Sequence, residues 1–211
     1  MALFSVLKKM LGAKTFDPVT PDPGPPAADV PEKRGGQIPL NSNDFLNFTT
    51  KAIVRKGLIN ADAAGWLAPY VQSIYQGERA LKDVARTIRS EGRQLTPDEK
   101  KALGANTRAN LGERIVAELT ESGLKDPLRA IEYTLHAALF AAYRERDRLM
   151  HSKRPQEDLR FVVVSDDRTC QEALGLYNTV FKQSNAPSLP LPGCQADICR
   201  CSYQPCRRRS R

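Results

Sequence analysis

Five cysteines carry most of the chemistry this chain could perform, and four of them crowd the last eighteen residues as Cys194-x4-Cys199-x-Cys201-x4-Cys206. The fifth, Cys170, follows the turn-like run Ser165-Asp166-Asp167-Arg168-Thr169. A thiolate is a soft donor, and tetrahedral zinc takes four such ligands at ~2.3 Å. Cys170, Cys194, Cys199 and Cys201 could supply them. One would come from a turn, one from the Pro192-Gly193 corner, and two from a closing strand on which a Cys-x-Cys pair shares a face. Cys206 is then spare. The spacing is not the paired C-x2-C pattern of zinc ribbons. It also admits one or two disulfides, or packed free thiols, and the residues leave these three readings open.

Other chemistry is thinly represented. A nucleophilic cysteine needs a base and an oriented pocket. The two histidines, His136 and His151, both fall in a long helical stretch away from the cysteines in sequence. His136 reads as a core or boundary residue, and His151 as a helix-end cation favoured by the macrodipole. Asp166-Asp167-Arg168 could bind a metal or exchange protons, but reads first as turn chemistry after a strand. The chain has no glycine-rich phosphate loop, no H-E-x-x-H and no serine nucleophile elbow. The expectation is therefore a non-enzymatic protein.

The net charge of +8 favours acidic partners: nucleic acid, acidic protein or anionic lipid. The tail residues Arg207, Arg208, Arg209 and Arg211 are the candidates for phosphate contact, without sequence readout. The charges from Arg144 to Arg148 read as a solvated helix face.

The elements that must position the cysteines follow from periodicity and breakers. Residues 1–14 form a short amphipathic segment, with Leu3, Phe4, Val6, Leu7, Met10 and Leu11 against Lys8, Lys9 and Lys14. It could pack on the protein's own body, dock to a partner protein or touch a membrane surface peripherally. It lacks the long apolar centre and cleavage site of a secretory signal, so a reduced, intracellular setting is expected. No apolar run approaches the ~20 residues of a transmembrane segment. Residues 15–40 hold seven prolines and read as a disordered linker.

Residues 41–154 read as a helical domain. Ser42 or Asn43 caps a first helix carrying Phe45, Leu46, Phe48, Ala52 and Ile53. A second helix over 61–75 turns Trp66, Leu67, Val71 and Ile74 inward, with Pro69 placed to split or kink it. A third runs over 79–90. Thr96-Pro97-Asp98-Glu99 starts a fourth through a capping box. That helix carries Leu103, Leu111, Ile115, Val116 and Leu119; Gly104 and Gly112 weaken it and Gly123 ends it. Asp126-Pro127 starts the longest, with Leu128, Ile131, Leu135, Ala138, Leu139 and Ala142 on one side.

Pro155 ends the helical mode. Residues 155–206 read as a cysteine-containing α+β module, in which a strand over 159–164 pairs with a closing strand over 198–204. Residues 207–211 are a basic tail. The predicted fold is mainly α with a small C-terminal α+β unit: a helical bundle followed by a short antiparallel β-pair stapled by cysteines.

The order of these features carries a resemblance. A small-residue helix (Ala130 to His136, then Ala141-Ala142-Tyr143-Arg144) precedes a strand and Asp166-Asp167-Arg168-Thr169-Cys170. Leu176-Tyr177-x2-Val180-Phe181, Leu189-Pro190-Leu191-Pro192 and Cys199-Arg200-Cys201 follow. Residues 125–205 thus resemble the C-terminal region of phage head-morphogenesis proteins, the Mu F-like minor head family. That family has a strand, D-D-x-x-C-x-x-C, L-x-G-x-x-F and P-x-H-P-x-C-R-C. This chain departs from it: Ala173 replaces the second cysteine of C-x-x-C, the glycine of L-x-G is lost, and so is the histidine of the H-P corner.

The resemblance implies a structural protein at the portal or inner head, with a portal or capsid-like assembly partner, in a virion or bacterial host cytoplasm. The tail from Ala186 to Tyr203 is also similar to small bacterial Cys-rich proteins. The alternative is therefore a cytosolic zinc-stapled module that binds protein or nucleic acid.

Overall fold

The computed structural model describes residues 40–154, 157–164, 169–196 and 198–206. The amphipathic segment 1–14, the proline-rich stretch up to 39 and the tail 207–211 lie outside them.

Helix α1 spans Ser42–Lys56. Its cap is Asn41, one residue before Ser42 and two before Asn43, the expected caps. The Asn41 side chain accepts the Asp44 N–H at 3.1 Å, and the Asp44 carboxylate accepts the Asn41 N–H at 2.9 Å. Asparagine caps as well as serine, and only residue 41 has an acid three places on to close the box. Gly57, at φ +62°, ends the helix in the left-handed region.

A 3-10 turn (Ala61–Ala63) leads into α2 (Ala64–Tyr75), which runs through Pro69 unbroken and buries Leu67, Val71 and Ile74. Helix α3 (Leu81–Ser90) buries Val84, Ala85 and Ile88.

The single helix expected after Thr96 is two. The Thr96–Glu99 capping box forms as read, but α4 stops at Ala102 (Pro97–Ala102), and α5 covers only Glu113–Glu118. Gly104 takes φ +70° and turns the chain away. Gly112 passes so close to the end of α3 that a Cβ there would stand 2.0 Å from the Glu91 carbonyl oxygen. Its N–H donates to the Arg89 carbonyl at 2.7 Å. This tertiary approach overrides helical periodicity. Gly123 does not end a helix either; it lies inside the short α6 (Glu121–Leu124), where a Cβ would meet the Leu58 carbonyl at 2.0 Å.

Helix α7 spans Pro127–Ser152. The Asp126 carboxylate accepts the Arg129 N–H at 3.1 Å, Pro127 needs no donor in the first turn, and Ala130, Ile131, Leu135, Ala138, Leu139 and Ala142 are buried. Helix α1 packs mainly on α2 and α7. Phe45, Tyr75 and Tyr143 form a ring ladder at 5.3 and 5.4 Å. Thr49 and Thr134 enter this core without stranding a hydroxyl, because each donates to the carbonyl four residues back, at 2.7 and 2.8 Å.

The C-terminal module contains β1 (Asp158–Val162), α8 (Gln171–Gly175), β2 (Val180–Phe181), a 3-10 turn (Gln183–Asn185) and β3 (Ser202–Cys206). The antiparallel sheet has the order β2-β1-β3, so it is three-stranded, wider than a pair. The expected pairing of the closing strand with the 159–164 region forms, in the register Val162 with Ser202 through Asp158 with Cys206. Strand β3 begins later than the sequence suggests. Its Pro205 is tolerated because β3 is an edge strand. A second core gathers Phe161, Ala173, Leu191, Cys199 and Cys201 beneath the sheet. Among the described residues, no helix is long and apolar enough to cross a membrane.

Candidate functional site

Three chain segments bring the cysteines together. The first leaves β1 through Val163 and Val164. The Thr169 hydroxyl donates to the Val164 carbonyl across residues 165–168, which lie outside the described residues with Asp166, Asp167 and Arg168. This closure places Cys170 at the start of α8, where its carbonyl accepts the Leu174 N–H at 3.1 Å.

The second segment is the proline-rich run. Pro187 is held by the Tyr203 hydroxyl, which donates to its carbonyl at 2.6 Å. Leu191 is buried and its carbonyl accepts the Cys194 N–H at 3.0 Å. Gly193 lets the Glu172 carboxylate lie alongside; a Cβ would come within 2.7 Å of it.

The third segment enters β3. Cys199 and Cys201 sit in this irregular stretch and not on the strand, so the shared-face argument from strand geometry does not place them. Both are buried all the same, each 6% exposed.

Cys170, Cys194, Cys199 and Cys201 line one cavity of about 10 Å³, walled by Val163, Val164, Ala196 and Ile198. A space near the minimum for a single water has room for a small ion and none for an organic ligand. All five cysteines carry free thiols. Among the described residues, no group of three or more Cys, His, Asp or Glu side chains is placed to hold a metal ion; the Cys199 thiol is hydrogen-bonded with those of Cys201 and Cys194. Cys206 is outside the cluster, at the opposite end of β3, where its Sγ donates to the Asp158 carbonyl at 3.4 Å.

The electrostatics single out Cys199. The Cys201 thiol donates to it and, with the neighbouring Arg144, holds it below the ordinary thiol range against the opposing effect of burial. Cys201 is pushed up by the same hydrogen bond and by burial. Burial likewise pushes Cys194 up.

Two arginines from the helical body reach this cluster. Arg144 of α7 donates to the Cys199 carbonyl at 3.2 Å, and Arg55 of α1 donates to the Cys194 carbonyl at 3.2 Å. Arg144 is therefore not part of a solvated charged face. Its guanidinium is desolvated, which lowers its pKa, and the charges acting on it are those of Cys199, Arg55, Cys201 and Cys194. It borders a groove of about 510 Å³ together with Ala137, Phe140, Ala141 and Cys199. The sequence did hold a signal for this: Ala137 and Ala141 precede Arg144 at helical spacing, and a face of small residues leaves room for another body.

Neither histidine lines the cysteine cavity. His136 stacks on Phe140 at 6.3 Å, and burial lowers its pKa. Arg207, Arg208, Arg209 and Arg211 lie outside the described residues. No protein-family model, curated protein or solved structure matches this chain.

Proposed function

We propose that this chain is a non-catalytic assembly protein whose C-terminal module is stapled by zinc on Cys170, Cys194, Cys199 and Cys201. The carrying observation is that four thiols from three segments converge on one ion-sized cavity while the fifth, Cys206, stays apart. Zinc suits the donor set because soft, deprotonated sulfur is its preferred ligand and a structural site needs four donors with no open position. When bound, the metal would tie α8, the proline-rich run and the approach to β3 into one unit. The same order of strand, cysteines and proline-rich run supports a role like that of a phage minor head component, held in a larger protein assembly.

The test of the staple is metal analysis of protein purified under reducing conditions. About one equivalent of zinc, lost in Cys199→Ser and retained in Cys206→Ser, supports it; metal-free protein with an intact C-terminal sheet rejects it. The assembly role is tested by mass spectrometry of purified head particles, where the chain must copurify at fixed stoichiometry.

A further inference from the structure

We propose that Arg55 and Arg144 are the counter-charges of the four-thiol centre, so that the helical body itself completes the metal site. The inference rests on the zinc reading and adds residues from outside the cysteine module. A zinc ion held by four thiolates carries two net negative charges, and burying them uncompensated is costly. Two guanidinium groups supply two positive charges at the edge of the cluster. Both already donate to backbone carbonyls of cluster residues, Arg55 at Cys194 and Arg144 at Cys199, each at 3.2 Å.

The arrangement makes poor sense without an anion. Arg144 lines a groove with the apolar Ala137, Phe140, Ala141 and Leu159 on one side, and a partly buried cation there gains from an opposite charge. Glu145 and Asp147 line the same groove but pair with Arg148 and Arg146, and among the described residues no carboxylate forms an ion pair with Arg55 or Arg144. A neutral carbonyl satisfies its hydrogen bond but not its charge. Nearby arginines are handled differently: Arg148 has Glu145 at 2.6 Å, and Arg146 has Asp147 at 2.7 Å. Outer-shell partners of this kind hold ligands in orientation and strengthen metal binding. Because Arg55 and Arg144 belong to α1 and α7, metal binding and docking of the module become one event.

The experiment is zinc competition against a chromophoric chelator, on the full chain under reducing conditions, with cobalt(II) absorption as a second readout of tetrahedral thiolate ligation. Arg144→Gln and Arg55→Gln should each weaken zinc by about 10–100-fold. Arg144→Lys should recover much of the loss, and Arg148→Gln should match the wild type. Zinc affinity unchanged from the wild type in both glutamine variants overturns the proposal. Arg55 is exposed, so its variant reports even where Arg144→Gln disturbs folding. Wild-type protein that takes up neither zinc nor cobalt sinks the zinc reading itself. Normal uptake by both glutamine variants sinks only the counter-charge role.

Discussion

Phe161 has no solvent exposure and meets Tyr203 edge-on, with ring centroids 5.6 Å apart. It sits between the sheet and the cysteine cluster, in a core separate from that of the helices. Phe161→Ala should cost about 3–5 kcal/mol. Hydrogen exchange should show protection lost at the β1 and β3 amides and kept through α7; a uniform loss across both would mean that the two cores are one. The cysteine types and crowding were visible in the sequence because soft ligands are rare and clustered. Arg144 was misread because helical periodicity reports which face a residue occupies, not whether a second body covers that face. Asn41 was missed for a similar reason: the acid that completes its box is a side-chain partner, which spacing suggests only when all candidate caps are compared.

At the scale of elements, the Thr96–Glu99 cap is the part of the fold most directly written in sequence. The Arg93 hydrogen bond, aided by the Thr96 N–H, brings the Glu99 carboxyl down from 4.5 to about 2. A depressed acid stabilises the folded state when ionised. Its contribution is complete above about pH 4.5 and is lost as pH falls through about 2. Urea midpoints measured across that window should slope with pH in the wild type and less steeply in Glu99→Gln; equal slopes would remove the carboxylate from the cap.

The break between α4 and α5 was illegible because it depends on backbone from elsewhere. Gly112 abuts Glu91, and Gly123 abuts Leu58, each with 2.0 Å where a Cβ would stand. A single sequence shows the glycine but not the strand of chain that crosses it. Gly123→Ala should therefore destabilise by about 1–3 kcal/mol, read as a lowered urea midpoint. In contrast, Gly175, which has open space around its would-be Cβ, should accept alanine with little change.

Across the whole molecule, the two cores predict separable behaviour. If zinc staples the C-terminal module, stripping it with a chelator should leave the far-ultraviolet helical signal nearly unchanged, while the tyrosine environment around Tyr203 becomes mobile in near-ultraviolet dichroism. Simultaneous loss of both signals would show that the helices depend on the staple. The net charge of +8 and the four tail arginines make a second molecular-scale prediction. If the tail contacts phosphate, removing residues 207–211 should weaken duplex DNA binding and flatten its dependence on the logarithm of salt by up to about 4. An unchanged slope would place the binding charge elsewhere.

The sheet order has a consequence for biosynthesis. Strand β1 lies between its two partners, and one of them, β3, is translated about forty residues after it. At roughly 5–20 residues per second, nascent β1 waits seconds with one edge bare, after the residues of the helical core have already been made. During that interval its bare edge is a template on which another strand could pair.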